Sequence, residues 1–139
     1  MGGGSAALSK LRALDPYRPC LRLVAMDILP EVEKLLRSWP EVEVHPRGFI
    51  PQDLEDVMLA YVFTNSPPTN ALIAQLCKDK NILVNAAELP ERDFTSPASA
   101  KLGDLTLSVS SGGGNIGMAV MWRDKFKAFW ESSQGREQS

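Results

Sequence analysis

The apolar residues change period along the chain, and the changes mark its elements. Leu8, Leu11 and Leu14 repeat along one side of a helix over residues 5–14, which Asp15-Pro16 and Pro19 stop. Residues 21–25 (LRLVA) read as a short strand. From Pro30, Val32, Leu35, Leu36 and Trp39 fall at helical spacing, with proline at the first position and Pro40 as the stop. Residues 42–45 form a second short strand, Pro46-Arg47-Gly48 turns, and 52–54 make one helical turn. The run VMLAYVF (57–63) is continuous, and its length and β-branched content predict a strand buried on both faces. Residues 65–69 are polar with two prolines, a loop at that strand's carboxyl end. A helix over 70–79 sets Ile73, Leu76 and Cys77 on one side, and 82–85 is a fourth strand. This alternation over 1–85 predicts βαβ units and a parallel sheet.

Past residue 85 the pattern differs. Residues 88–99 are polar and contain proline, whereas LTLSVS (105–110) alternates with period two, as a half-exposed antiparallel strand does. Residues 111–115 (SGGGN) are a loop. Residues 116–131 predict a closing helix with Met118, Trp122, Phe126 and Phe129 along one side, which suits core or dimer packing. The segment 88–114 is too small to form its own core, and its alternating strand needs a partner surface, so a homodimer is expected. The expected division is 1–87, 88–132 and a polar, disordered tail at 133–139.

Composition narrows the chemistry. A chain of 139 residues fits one domain with at most a small appendage, and 44% apolar with 23% charged residues is ordinary for a soluble globule. A net charge of −2 gives no electrostatic reason to expect nucleic acid or an anionic membrane as partner. No apolar run approaches the roughly 18 residues of a membrane span, and the N-terminus lacks the pattern of a secretory signal. Cys20, Cys77 and the single His45 make no standard zinc site, so no metal is expected. Two scattered cysteines point to the reducing cytoplasm, with both thiols packed and free. One histidine leaves acid–base work to carboxylates.

The glycine triplet Gly2-Gly3-Gly4 stands directly before a helix that begins at Ser5. Glycines let an anion approach the backbone, and the helix amides and dipole then hold its charge. A flexible leader before a helix has the same composition, and no strand precedes the glycines in the sequence. A dinucleotide site would place an acid about 20 residues further on, against a ribose hydroxyl. Asp27 is the candidate, although a turn or helix-capping role before Pro30 suits it better.

Three ordered segments carry a resemblance: GGGSAALSKLRAL (2–14), YVFTNSPPTNALIAQLCKDKNILVNAAELPERDFTSPA (61–98) and KLGDLTLSVSSGGG (101–114). Together they resemble the precorrin-2 dehydrogenase module of siroheme synthase, over nearly the whole chain. The resemblance implies a Rossmann-like α/β domain, without its first strand here, followed by a small α+β dimerisation region. It implies oxidation of precorrin-2 to sirohydrochlorin with NAD. By position, Gly2, Gly3, Gly4 and Ser5 would hold the pyrophosphate, and Thr64 and Asn70 would sit in the loop under the cofactor. Glu88 stands where the family has its catalytic aspartate. Lys101 stands where the family has arginine, and with Ser111, Gly112 and Gly113 it would face the tetrapyrrole. Arg47 and Arg92 are further cations for a substrate rich in carboxylates. A non-catalytic relative that binds tetrapyrrole, nucleotide or a partner is the alternative, as is a fragment or short form of a longer enzyme.

Overall fold

In the computed structural model, which describes residues 1–86 and 93–137 (the backbone alone over 134–137), helix α1 (Ser5–Leu14) starts directly on Gly4. Strand β1 (Leu21–Val24) follows, then α2 (Pro30–Leu36), β2 (Val42–His45) and a 3₁₀ turn (Pro51–Leu54). Strand β3 (Leu59–Val62), α3 (Pro67–Asp79) and β4 (Leu83–Ala86) complete the first of two compact units, Met1–Phe94. The second unit, Thr95–Ser139, holds β5 (Ala98–Leu102), β6 (Leu105–Val109) and α4 (Ile116–Glu137).

The parallel strands of the first unit form two ladders, β1 with β2 and β3 with β4. Met1–Gly3 joins them. The Gly2 N–H donates to the Val24 carbonyl at 2.9 Å, and the Phe63 N–H donates to the Met1 carbonyl at 2.9 Å. Gly3 also makes a parallel bridge to Ile28. Met1–Gly3 thus lies between β1 and β3 and is hydrogen-bonded to both.

Two apolar clusters pack the sheet faces. Leu11 of α1, Leu23 of β1, and Val32 and Leu36 of α2 meet Trp39, whose indole N–H donates to Asp15 at 2.9 Å. Ala60, Val62, Val84 and Ala86 meet Ile73, Ala74 and Cys77 of α3, with Leu54 of the 3₁₀ turn. That turn is pinned by buried Asp53, which accepts from both Arg47 nitrogens (2.7 and 2.8 Å) and from the Ile50 N–H at 2.9 Å. The Arg47 guanidinium holds the Asp53 carboxyl below the usual carboxylate range.

The run 57–63 is not buried on both faces. Residues 59 and 61 alternate with 60 and 62, and α3 covers only the second pair. Leu59 stays 42% and Leu83 53% exposed, while Lys10 of α1 stands 4.9 Å from the Tyr61 ring centre. Cys20 is exposed rather than packed, and Cys77 is buried; both are free.

In the second unit β5 and β6 form an antiparallel hairpin with Leu102 opposite Leu105 and Ala98 opposite Val109. Strand β5 lies in a stretch, between the polar residues 88–99 and the strand at 105–110, to which the sequence pattern assigns no element. Gly103, at φ 60°, makes its turn. Helix α4 continues through Glu137, past the predicted end at residue 131 and into the stretch expected to be a disordered tail. Among the described residues no helix is long and apolar enough to cross a membrane.

Candidate functional site

The glycines at the start of the chain are held where a side chain would not fit. Gly2 has φ 95°, and a Cβ there would stand 2.3 Å from the Phe63 carbonyl oxygen. A Cβ on Gly3 would stand 2.4 Å from the Asp27 carbonyl oxygen. Gly4 differs: its Cβ direction opens into space. Gly4 is also the N-cap of α1, and no side chain caps the helix there. The first-turn amides, beginning at Ser5, have no carbonyl of their own helix to meet. A backbone cradle, bare amides and the positive end of a helix dipole together suit a diphosphate.

The end of β3 supplies the neighbouring wall. The Thr64 N–H donates to the Asn70 side-chain oxygen at 3.2 Å, and the Asn70 side-chain N–H donates to the Thr64 carbonyl at 3.0 Å. Asn70 is buried in the first turns of α3. Ser66 caps that helix, its hydroxyl accepting from the Thr69 N–H at 3.4 Å. The Thr64 N–H lies 3.2 Å from where a Gly2 Cβ would stand. The structure therefore brings Gly2, Gly3, Gly4, Ser5, Asp27, Thr64 and Asn70 to one crest, at the carboxyl ends of the parallel strands. That is where open α/β sheets bind ligands. The Asp27 side chain is exposed on it.

Two features of the crest have no sequence motif. One is the Phe63 carbonyl that makes Gly2 obligatory. The other is the Met1 amino group, which donates to the Tyr61 carbonyl at 2.7 Å and which burial pushes down to about 6.

The remaining candidates lie elsewhere. Glu88 and Arg92 fall outside the described residues. Arg47 is engaged with Asp53. In the second unit Lys101 is exposed near the hairpin turn, opposite Thr106, whereas Ser111 follows the far end of β6. The five residue steps from Thr106 to Ser111, at about 3.3 Å each in extended chain, set them roughly 15 Å apart. The Ser111 hydroxyl accepts from the Asn115 N–H at 3.0 Å, and Gly112 and Gly113 have φ of 60° and 83°. Among the described residues no group of three or more His, Cys, Asp or Glu is placed to hold a metal.

A family model described as "Putative NAD(P)-binding" matches residues 1–98. The siroheme synthase of Zymomonas mobilis is 29% identical over 137 residues, and that of Ectopseudomonas mendocina 31% over 137 residues. Each alignment covers 98% of this chain and 29% of the relative, so the chain spans under a third of these proteins' length. Among solved structures, SirC, precorrin-2 dehydrogenase, superposes with a TM-score of 0.74 at 20% identity, over 96% of this chain and 67% of that one. That likeness shows the Rossmann-like fold. With its glycine crest inside the matched residues, the chain belongs to this NAD(P)-binding family.

Proposed function

We propose that the chain carries the NAD-dependent oxidation of precorrin-2 to sirohydrochlorin, in siroheme synthesis. The observation that carries this reading is the crest of Gly2, Gly3 and Gly4, two of which have no room for a Cβ while the third opens outward. The siroheme synthase relatives and the fold of SirC support this over a non-catalytic relative.

Gly2 to Gly4 and the Ser5 amide would hold the diphosphate, and the Asp27 carboxylate would take a ribose hydroxyl. Thr64 and Asn70, locked to each other, would keep the floor of the site rigid. When bound, NAD supplies the hydride acceptor. Oxidation of the macrocycle removes a hydride and a proton, so a base is needed for the second. Glu88, two residues beyond β4 in the sequence, is assigned that proton, because it stands where the family has its catalytic aspartate. Lys101, Ser111, Gly112 and Gly113 are assigned to the carboxylate-rich substrate.

The second unit is assigned to pairing two copies in a cytoplasmic homodimer. Trp122, Phe126 and Phe129 are 43%, 47% and 72% exposed in the single chain. Phe126 and Phe129 also line an apolar groove of about 230 Å³, with Leu102, Leu107 and Trp130. Light scattering at micromolar concentration is expected to read a dimer, and a monomer removes this assignment.

Anaerobic incubation with precorrin-2 and NAD, followed by sirohydrochlorin absorbance, tests the activity. Conversion is expected, with Glu88→Gln slower by about 10²-fold because it keeps the shape and removes the basicity. Absence of conversion by the unaltered chain overturns the reading. Unchanged turnover in Glu88→Gln removes only the role of that residue.

A further inference from the structure

The outer edges of β4 and β2 differ among the described residues. In a strand, one residue's N–H and C=O point to one side and the next residue's to the other. The Leu83 N–H donates to the Met58 carbonyl at 3.1 Å, so Val84 turns its backbone groups away from β3. There its N–H donates to the Asp93 carboxylate at 2.9 Å, and its carbonyl accepts from the Asp93 N–H at 3.0 Å. Asp93 thus closes the edge of β4.

On β2 the Glu41 and His45 carbonyls accept from the N–H groups of Leu21 and Ala25, at 3.2 Å each. Residues 41, 43 and 45 therefore face β1, and Val42 and Val44 turn their backbone groups outward. Among the described residues nothing meets those groups. On the α2 face of this edge lies an apolar slot of about 340 Å³, lined by Leu23, Ile28, Leu36, Val42 and Val44, with the opposite charges of Glu33 and Arg37 in its wall. The other face of β2 carries Glu41 and Glu43, both exposed. Glu43 stands 2.7 Å from Arg22 and 3.5 Å from His45, whereas Glu41 has no ion-pair partner among the described residues.

We propose that the outer edge of β2 docks an extended segment of another protein, as an antiparallel strand that reads apolar–basic–apolar–basic. The backbone gives the register. The two segment residues opposite Val44 and Val42 exchange N–H···O bonds with them, and their side chains lie over the slot, so both are apolar. The residue between them faces Glu43, and the one after them faces Glu41, so both are Lys or Arg. The antiparallel direction follows from the same charges, because it sets the residue opposite Glu43 in the closer, non-hydrogen-bonded kind of pair. A second copy does not fit. Full-length antiparallel pairing of β2 with itself sets Glu43 directly against Glu43, and like charges there are destabilising. The glutamates therefore blunt the edge against its own kind and leave it open to a basic strand.

The test is amide hydrogen exchange on the full chain with the capped peptide Thr-Ile-Lys-Val-Lys, and with Thr-Ile-Glu-Val-Glu as control, each at about 1 mM. Exchange at Val42 and Val44 is expected to slow by about fivefold or more with the basic peptide and to stay unchanged with the acidic one. In Glu41→Lys, which exchanges one exposed charge for another, the slowing by the basic peptide is expected to shrink by about threefold. No slowing with the basic peptide overturns the proposal, as does slowing confined to other amides. Equal slowing by the two peptides, or an unchanged response in Glu41→Lys, overturns the basic partner. Protection of Val42 and Val44 that grows with protein concentration, without peptide, makes a second copy the occupant and overturns it too. NAD takes no part, so the result is separate from the cofactor reading.

Discussion

Two glycine-rich stretches each precede a helix, and they are built for different ends. Gly2–Gly4 leads into α1 with two glycines wedged against the backbone of neighbouring strands and a helix start that no side chain caps. Gly112–Gly114 leads into α4 as an open turn. A Cβ on Gly112 would meet nothing, and α4 is capped by its own Asn115, whose side-chain oxygen accepts from the Met118 N–H at 2.9 Å. The first stretch leaves bare amides for an outside anion, and the second satisfies its own. Glycine count does not separate them; the company of the glycines does.

The contrast is broken most directly by alanine. Gly2→Ala places a methyl against the Phe63 carbonyl at a positive φ, so it is expected to cost about 3 kcal/mol or more and to abolish NAD binding. Gly112→Ala, at φ 60° in open space, is expected to cost about 1 kcal/mol and leave NAD binding unchanged. Urea denaturation and calorimetry on the two variants check this. Equal losses would mean that the two stretches do the same work.

A smaller effect separates the same regions by pH. The Met1 amino group beside the first stretch titrates near 6 in the folded chain and near 8 when unfolded. Between these values the unfolded chain binds more protons, so stability rises as pH goes from 6 to 8, by about 2 kcal/mol. Below 6 the whole penalty is present, and above 8 it is gone. Urea midpoints at pH 6 and pH 8 check this. Midpoints that do not move would mean that the amine is solvated.

Much of the first unit was legible because its periods are clean. Helix α1 was readable to its ends, and β1 and β2 to within a residue, from apolar spacing and proline stops. The one-sided burial of the strand within 57–63 was not, because an apolar run does not reveal that only one face has a helix to pack on. Strand β5 was hidden by small residues, since Ala98, Ser99 and Ala100 have no strand-like period. The crest residues were readable as a set from motif order. The clash that makes Gly2 indispensable was not, because it depends on a carbonyl 61 residues away in sequence. Lys101 and the Ser111 loop lie close in sequence, yet the hairpin sets them at opposite ends.

The central claim is that the bare start of α1 holds the diphosphate of NAD. Gly4 tests it without disturbing the fold, since its φ of −85° suits any residue and its Cβ direction is open. Calorimetric titration of NAD into the chain and into Gly4→Val is the direct measurement. A thermal midpoint within about 2 °C of the original, with NAD affinity at least about tenfold weaker, is predicted. Equal affinity in the two chains, or no binding to the original at about 1 mM NAD, would contradict the claim.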